Sequence, residues 1–337
     1  MLNNSNYYSF VTLTYNHQKY IIEHLESIKY QILTYGSSLN IDLIVADDHS
    51  TDNTVFLINQ WIKRNYSLFN SVIILENSFN QGTCANYVKA IKAVKSHYFK
   101  VLAGDDLYAY SNIFSLLSRV DDNSFVSGLP LILKDDSLEL SKKMIFNLVS
   151  TSIIYKDNFK KAMRLFSSIH TPSLAYSKEF FDNNEVNKFI KKYSIVEDFA
   201  MQIIVSELNP KVRYVLLPCV FVYYRRTNNS AYIIKNDKFL TDKRRLYIFL
   251  AKKEKSFINR ILLYNRIFCL KINNRFLKII LNLNSYIYFF HFIFNYKKIG
   301  KIIDSIKIDT SLYRKHYFDI KNTAQLFIDS HDLMQYK

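Results

Sequence analysis

Two apolar runs end in pairs of carboxylates, and this pattern constrains the chain most. Ile41-Asp42-Leu43-Ile44-Val45-Ala46 closes on Asp47-Asp48, and Tyr98-Phe99-Lys100-Val101-Leu102-Ala103-Gly104 closes on Asp105-Asp106. Short, mostly apolar runs bounded by turn residues read as strands buried on both faces. In open α/β sheets, ligands bind in the crevice at the carboxyl ends of the strands. Acidic pairs at two strand ends therefore predict a site for a divalent cation and a phosphorylated ligand. A third pair, Glu197-Asp198, lies much further along.

The segments around these runs alternate. Residues 8–14 are β-rich, and helical periodicity follows over 19–33, with Ile21, Ile22, Leu25, Ile28 and Ile32 on one side. A strand at 41–46 leads to a helix over 52–64, and a strand at 71–76 leads to Gly82 and a helix over 83–96. The next strand is 98–103. This alternation implies βαβ units and a mostly parallel sheet. After Asp106 the pattern loosens: 124–134 and 211–224 read as strands and 198–207 as a helix. From Phe239 onward helix dominates. The fold class expected is α/β, a Rossmann-like mixed sheet flanked by helices, with a helical, basic C-terminal region.

Charge divides the chain. Residues 231–337 carry 21 Lys and Arg against 8 Asp and Glu, which is +13 of the formal +16. The expected organisation is a nearly neutral catalytic domain over 1–230 and a basic, aromatic region over 231–337. Such a region suits anionic lipid, nucleic acid or an acidic partner. The three cysteines, Cys84, Cys219 and Cys269, form no CxxC pair and no metal-ligand spacing, which points to a reducing compartment. The first residues lack a basic segment followed by an apolar run, so no signal peptide is expected.

Each acidic pair has a structural reading beside its chemical one. Gly104-Asp105-Asp106 is good loop chemistry, but two carboxylates also suit Mg²⁺ or Mn²⁺ shared with phosphate oxygens. Asp48 either belongs to a loop in which Ser50 or Thr51 caps the next helix, or accepts hydrogen bonds from a base or sugar edge. Glu197 and Asp198 suit the first turn of a helix through its dipole, or supply a general base for an acceptor hydroxyl. His17 and His170 are weaker candidates. His170-Thr171-Pro172-Ser173 precedes an apparent helix and could lie near an acceptor.

The order of the pairs resembles glycosyltransferase family 2, inverting nucleotide-sugar enzymes of the GT-A fold. The residues that carry it are Val11-Thr12-Leu13-Thr14-Tyr15-Asn16, Val45-Ala46-Asp47-Asp48-His49-Ser50-Thr51-Asp52, Asn80-Gln81-Gly82 with Ala85-Asn86, Leu102-Ala103-Gly104-Asp105-Asp106, Glu197-Asp198, and Tyr224-Arg225-Arg226-Thr227-Asn228-Asn229-Ser230. They cover roughly residues 7–230. The resemblance implies that Thr14, Tyr15 and Asp48 line the base and ribose pocket, with Asp105 near the ribose and metal. Asp106 would be the main ligand of Mn²⁺ or Mg²⁺. Asp198 would be the base, with Glu197 beside it, and Arg225 and Arg226 would face the diphosphate. The implied partners are a nucleotide-diphosphate-sugar donor and a glycan or lipid-linked acceptor in bacterial surface polysaccharide synthesis. One departure is Thr227, where the family pattern often has His. Either fewer protein groups hold the metal, or Arg225 and Arg226 carry more of the diphosphate charge. Two other readings stand beside this one: a nucleic-acid-binding protein with a basic tail, for which no zinc-finger, RNP-like or helix-turn-helix signature is present, and a catalytically inactive module of the same fold. Nucleic acid is not the expected partner.

In the tail, a helical wheel over 257–281 gives an apolar stripe containing Ile258, Ile261, Leu262, Phe268, Cys269, Ile272, Phe276, Ile279 and Ile280, interrupted by Asn265. Residues 276–294 are the most apolar stretch, too interrupted for a spanning helix of about 20 residues. The aromatic run Tyr286–Phe294, with Lys297 and Lys298 beside it, suits a membrane interface. Packing against the catalytic domain is the alternative. The expected location is cytoplasmic, peripheral on the inner face of a bacterial inner membrane, held by an anionic surface.

Overall fold

The computed structural model describes residues 6–226 and 237–330 of the chain. Thr227 lies outside the described residues. Strands β1 (Tyr7–Thr14), β2 (Asn40–Asp47), β3 (Ser71–Glu76) and β4 (Tyr98–Ala103) form a parallel sheet in the order β3-β2-β1-β4. Helices α1 (Ile21–Tyr35), α2 (Thr54–Asn65) and α3 (Thr83–Ala93) make the connections. The period-2 alternation of strand side chains divides these apolar strands between two cores. Phe10, Leu43 and Val45 pack with Ile28 of α1 and Trp61 of α2. Val11, Leu13, Ile44 and Ala46 pack with Val88 and Ile91 of α3 on the other face. Both faces are covered, so the strands read as continuous apolar runs.

A second, mixed sheet follows. It contains β5 (Leu107–Tyr108), β6 (Ser124–Lys134), β7 (Ser137–Glu139), β8 (Leu174–Tyr176) and β9 (Arg213–Arg225). Its order is β5-β9-β6-β7, with β8 also on β6; β6 and β9 run parallel and the other pairs antiparallel. Only Gly104, Asp105 and Asp106 separate β4 from β5, so the second acidic pair sits at the step between the sheets. Helices α4 (Ile113–Leu117), α5 (Lys142–Ile154), α6 (Phe159–Arg164), α7 (Asn184–Ile190) and α8 (Glu197–Leu208) complete this part.

Five more helices follow: α9 (Asp237–Lys253), α10 (Phe257–Leu270), α11 (Arg275–Leu281), α12 (Leu283–Ser305) and α13 (Thr310–Asp329). The single stripe expected over 257–281 is divided between α10 and α11. Asn274 ends the break by accepting hydrogen bonds from the amides of Phe276 (2.9 Å) and Leu277 (3.1 Å), an N-cap that starts a new helix. Asn282 caps α12 in the same way. Asn265 of α10 holds the turned-back chain: its Nδ2 donates to the Leu281 carbonyl at 2.8 Å, and its Oδ1 accepts from the Leu283 amide at 2.9 Å. Leu246, Tyr247 and Leu250 of α9 enter the core that α3 covers. Ala324 and Phe327 of α13 enter the core that α1 covers.

Candidate active site

A cavity of about 1150 Å³ opens at the carboxyl ends of the first sheet, above the usual range of small-ligand sites of roughly 300–1,000 Å³. Thr14, Tyr15, Asp48, Asp105, Asp106, Glu197, Asp198, Arg225 and Arg226 all line it. Helices α9 and α10 also reach it, through Lys243, Tyr247 and Arg266.

Asp47 is a loop clamp. Its carboxylate accepts from Thr14 Oγ1 (2.7 Å), the Ser50 amide (2.7 Å) and Ser50 Oγ (2.5 Å). The Thr14 hydroxyl is thus held in the wall. Asp48 is buried and accepts from Asn77 Nδ2 (2.8 Å) and from the amides of Gln81 (2.8 Å) and Gly82 (2.9 Å). These charge-assisted bonds fix the loop before α3, so Asp48 shapes the pocket as well as lining it. Gly82 is required there. Its φ is 86°, and a Cβ would lie 2.8 Å from the Ser194 carbonyl oxygen. That carbonyl accepts from the Cys84 amide at 3.1 Å. The loop beside Asp48 is thereby docked on the segment that leads into α8.

Asp106 is buried, and its Oδ1 accepts from the Arg225 amide at 2.8 Å. Burial and the adjacent Asp105 hold its carboxyl well above the usual range. Two buried groups on α1 and β4 support it. His24 contacts the Asp106 carbonyl through Nδ1 (2.7 Å) and Thr12 Oγ1 through Nε2 (2.8 Å); burial pushes its pKa down to about 4, so the ring is neutral. Lys100 donates to the Val101 carbonyl at 2.6 Å. Burial lowers its pKa to about 7, while the Asp106 charge opposes that shift. Arg225 donates through Nε to the Asp105 carbonyl (2.8 Å) and through an Nη to Glu23 (2.5 Å), and its guanidinium lies 4.4 Å from the Tyr20 ring centre. It ties β9 to the β4–β5 step and to α1.

Glu197 and Asp198 open α8 at another wall of the cavity. Burial first, and then the Asp198 charge, raise the Glu197 carboxyl to about 8. Asp198 Oδ1 accepts from the Phe199 amide at 2.6 Å. The segment before them is fixed from α9: the buried Asp242 carboxylate accepts from the amides of Ser194 (2.7 Å) and Ile195 (3.2 Å). His17 and His170 also line the cavity.

Lys100, His24, Asp242 and Gly82's contact with Ser194 were not identified from the sequence. Lys100 had a signal, a lone cation inside an apolar strand. Asp242 had none, because its partners lie far away along the chain.

The donor set suits a hard divalent cation. Two adjacent carboxyls, one buried with its charged form disfavoured, gain from an added positive charge. Two protein carboxylates leave other positions to phosphate oxygens. Among the described residues, the one cluster of three potential ligands is His97, Asp122 and Glu179. It lies elsewhere: His97 precedes β4, whereas Asp105 and Asp106 follow it.

The profile of glycosyl transferase family 2 matches residues 9–183, a span that runs from within β1 to past β8 and includes both strand-end acidic pairs. The chain belongs to this family. A region of 116 residues is 29% identical to abequosyltransferase RfbV of Salmonella typhimurium, covering 34% of this chain and 33% of that protein. The chain thus aligns with about a third of that relative's length. Among solved structures, S. aureus TarS 1–349 in complex with UDP-GlcNAc superposes with a TM-score of 0.56 at 15% identity, covering 96% of this chain and 91% of that one. Mannosyltransferase PcManGT from Pyrobaculum calidifontis, in complex with GDP-Man and Mn²⁺, gives 0.56 at 13% identity, covering 98% and 88%. At these identities the likeness shows the fold, which is GT-A, and the family membership carries a glycosyl-transfer role.

Proposed function

We propose that this chain transfers a sugar, with inversion, from a nucleotide-diphosphate-sugar to a hydroxyl of a glycan or lipid-linked acceptor in bacterial surface polysaccharide synthesis. The observation that carries this is one cavity with acidic groups at two walls, Asp105 and Asp106 at the β4–β5 step and Glu197 and Asp198 at the start of α8. In this reading Thr14, Tyr15 and Asp48 form the nucleoside end, and Asp106 with Asp105 holds Mn²⁺ or Mg²⁺. Such a cation would neutralise the departing diphosphate. Asp198 accepts the acceptor's hydroxyl proton. The acceptor oxygen bonds to the anomeric carbon from the face opposite the diphosphate, the carbon–oxygen bond to phosphate breaks, and the nucleoside diphosphate leaves. Neutral Glu197 keeps the second negative charge away from the base. Arg225 is already paired with Glu23, so its charge supports the β4–β5 step, and Arg226 is the cation assigned to the diphosphate.

Residues 1–230 form the catalytic part in this reading, and 231–337 attach it to an anionic membrane surface on the cytoplasmic side. Support for attachment comes from the exposed apolar side chains of α10–α12, among them Phe257, Phe276, Phe290 and Phe294, beside the exposed Lys271, Lys297, Lys298 and Lys301. On α12 the exposed Leu283, Tyr286, Phe290 and Phe294 recur at three- and four-residue spacing and so share one face; exposed apolar surface of this kind marks an interaction site, and an aromatic face followed by Lys297 and Lys298 suits the headgroup boundary. Among the described residues no helix is long and apolar enough to cross a membrane.

The test is a screen of UDP-, GDP-, dTDP- and CDP-sugars with Mn²⁺ or Mg²⁺, read by nucleoside diphosphate release. Metal-dependent release with one donor class is expected. Salt-sensitive binding of nucleic acid with no release from any donor would overturn the proposal.

A further inference from the structure

One buried imidazole in the cavity has an unused nitrogen. His170 is 8% exposed and lines the cavity. Its Nδ1 is 2.9 Å from Ser173 Oγ, and its Nε2 is buried with no hydrogen-bond partner. The ring is fixed by its edge-on contact with Tyr224, 4.9 Å between ring centres. Burial pushes its pKa down to about 3, with Lys100 and Arg226 adding to the shift, so it stays neutral. A buried polar atom left unpaired costs free energy comparable to a lost hydrogen bond, and such atoms in native proteins usually have an unseen partner.

The surroundings of His170 say where that partner lies. On one side are Lys100 and Arg226, whose charges act on the ring; the Lys100 charge also acts on Asp106. On the other, the neighbouring Thr171 hydroxyl is joined to Gln202 Nε2 at 3.3 Å. Gln202 lies on α8 four residues past Asp198, one helical turn along the same face. His170 therefore lies between the wall assigned to the leaving group and the wall assigned to the base. The transferred sugar must occupy that space, because its anomeric carbon bonds to phosphate on one side and to the acceptor on the other.

We propose that His170 Nε2 makes a hydrogen bond to a hydroxyl of the transferred sugar and sets the specificity for that sugar. This rests on the nucleotide-sugar reading above. A neutral imidazole exchanges a hydrogen bond with a hydroxyl without adding charge beside the diphosphate. A buried site built around such a bond rejects a donor that lacks the hydroxyl or points it elsewhere, since both groups are then left unpaired.

The experiment uses the full chain and two variants. In H170N the amide keeps a group at the Nδ1 position to face Ser173, but does not reach the Nε2 position. In H170Q the longer side chain restores a polar atom near Nε2. The wild type is first screened by calorimetry with Mn²⁺ against UDP-glucose, UDP-galactose, UDP-GlcNAc and GDP-mannose, and against UDP and GDP alone. H170N should bind the bare nucleoside diphosphate within about threefold of wild type. It should lose about tenfold or more in affinity for the preferred donor and discriminate less among sugars, with partial recovery in H170Q and unchanged thermal melting. Equal donor affinity and selectivity in H170N and wild type would overturn the proposal, as would an equal loss for UDP or GDP alone, which would place His170 on the diphosphate. Failure of the wild type to bind any donor of this panel or of the dTDP- and CDP-sugar classes would overturn the nucleotide-sugar reading itself.

Discussion

Burial and the adjacent Asp198 raise the Glu197 carboxyl to about 8, so at neutral pH it holds its proton. An unfolded glutamic acid releases that proton near its ordinary value of 4.5. The stability contributed by neutral Glu197 is therefore complete below that value and is lost as pH rises through about 8. Glutamine copies the neutral acid and does not titrate. The Tm advantage of E197Q over wild type should thus grow from about pH 5 to about pH 8 and level off above it. A pH-independent difference would place the proton elsewhere. The neighbouring carboxylate has a different expectation. Asp198→Asn keeps shape but cannot accept a proton, so turnover should fall about a hundredfold or more while donor binding persists; collapse of donor affinity would move Asp198 to the donor site. At the other wall, Asp106→Asn preserves an acceptor for the Arg225 amide and removes the charge. Nucleoside diphosphate release should be nearly abolished with the fold intact, because the lost charge stabilisation of the leaving group is worth several kcal/mol. Near-normal release from this variant in chelator-treated buffer would exclude the metal role.

At the level of elements, the strands of the first sheet are legible because local sequence decides them. Asn40–Asp47 is buried on both faces, the edge strand Ser71–Glu76 packs half-buried against both cores, and their apolar runs stop where the chain turns. Beyond Asp106 the elements depend on partners distant in sequence. The two-residue β5 exists only through its pairing with β9, and β8 through its pairing with β6. The division of α10 from α11 had a local signal in Lys271, Asn273 and Asn274, which the continuous apolar stripe overrode. That the candidate site residues line one cavity was legible because they belong to motifs at strand and helix ends; the groups that hold them were not. Asp242 illustrates this. Its carboxylate on α9 serves two backbone amides just before α8, 48 residues away along the chain for the first of them. Asp242→Ala leaves both donors without that partner, which should cost about 2 kcal/mol and lower Tm by roughly 5 °C. Because α8 presents Asp198, turnover should fall more than donor affinity. A drop in Tm with unchanged turnover would show that α8 is placed without this contact.

At the scale of the whole molecule, charge and apolar exposure coincide on the C-terminal helices, while α9 and α13 are built into the cores of the sheets. Deleting everything after Ser230 would therefore remove core side chains such as Leu246, Leu250, Ala324 and Phe327 along with the exposed ridge. Surface substitutions separate the two effects. Phe289, Phe290 and Phe294 are 56%, 60% and 84% exposed, so replacing all three with Ser removes little packing. Lys297 and Lys298 are exposed one turn beyond Phe294 on α12, and each contributes about 1 kcal/mol near an anionic leaflet, an attraction that falls off within a Debye length. Full-length protein should float with vesicles containing phosphatidylglycerol at low salt and less with neutral vesicles or at high salt. The triple Phe→Ser variant should lose flotation under both conditions, and K297E with K298E should lose mainly the charge-dependent part, by about tenfold or more. Both variants should keep wild-type melting and donor-dependent nucleotide release. Flotation that is indifferent to lipid charge, to salt and to these substitutions would exclude a lipid surface, and the ridge would then be a contact for another protein chain.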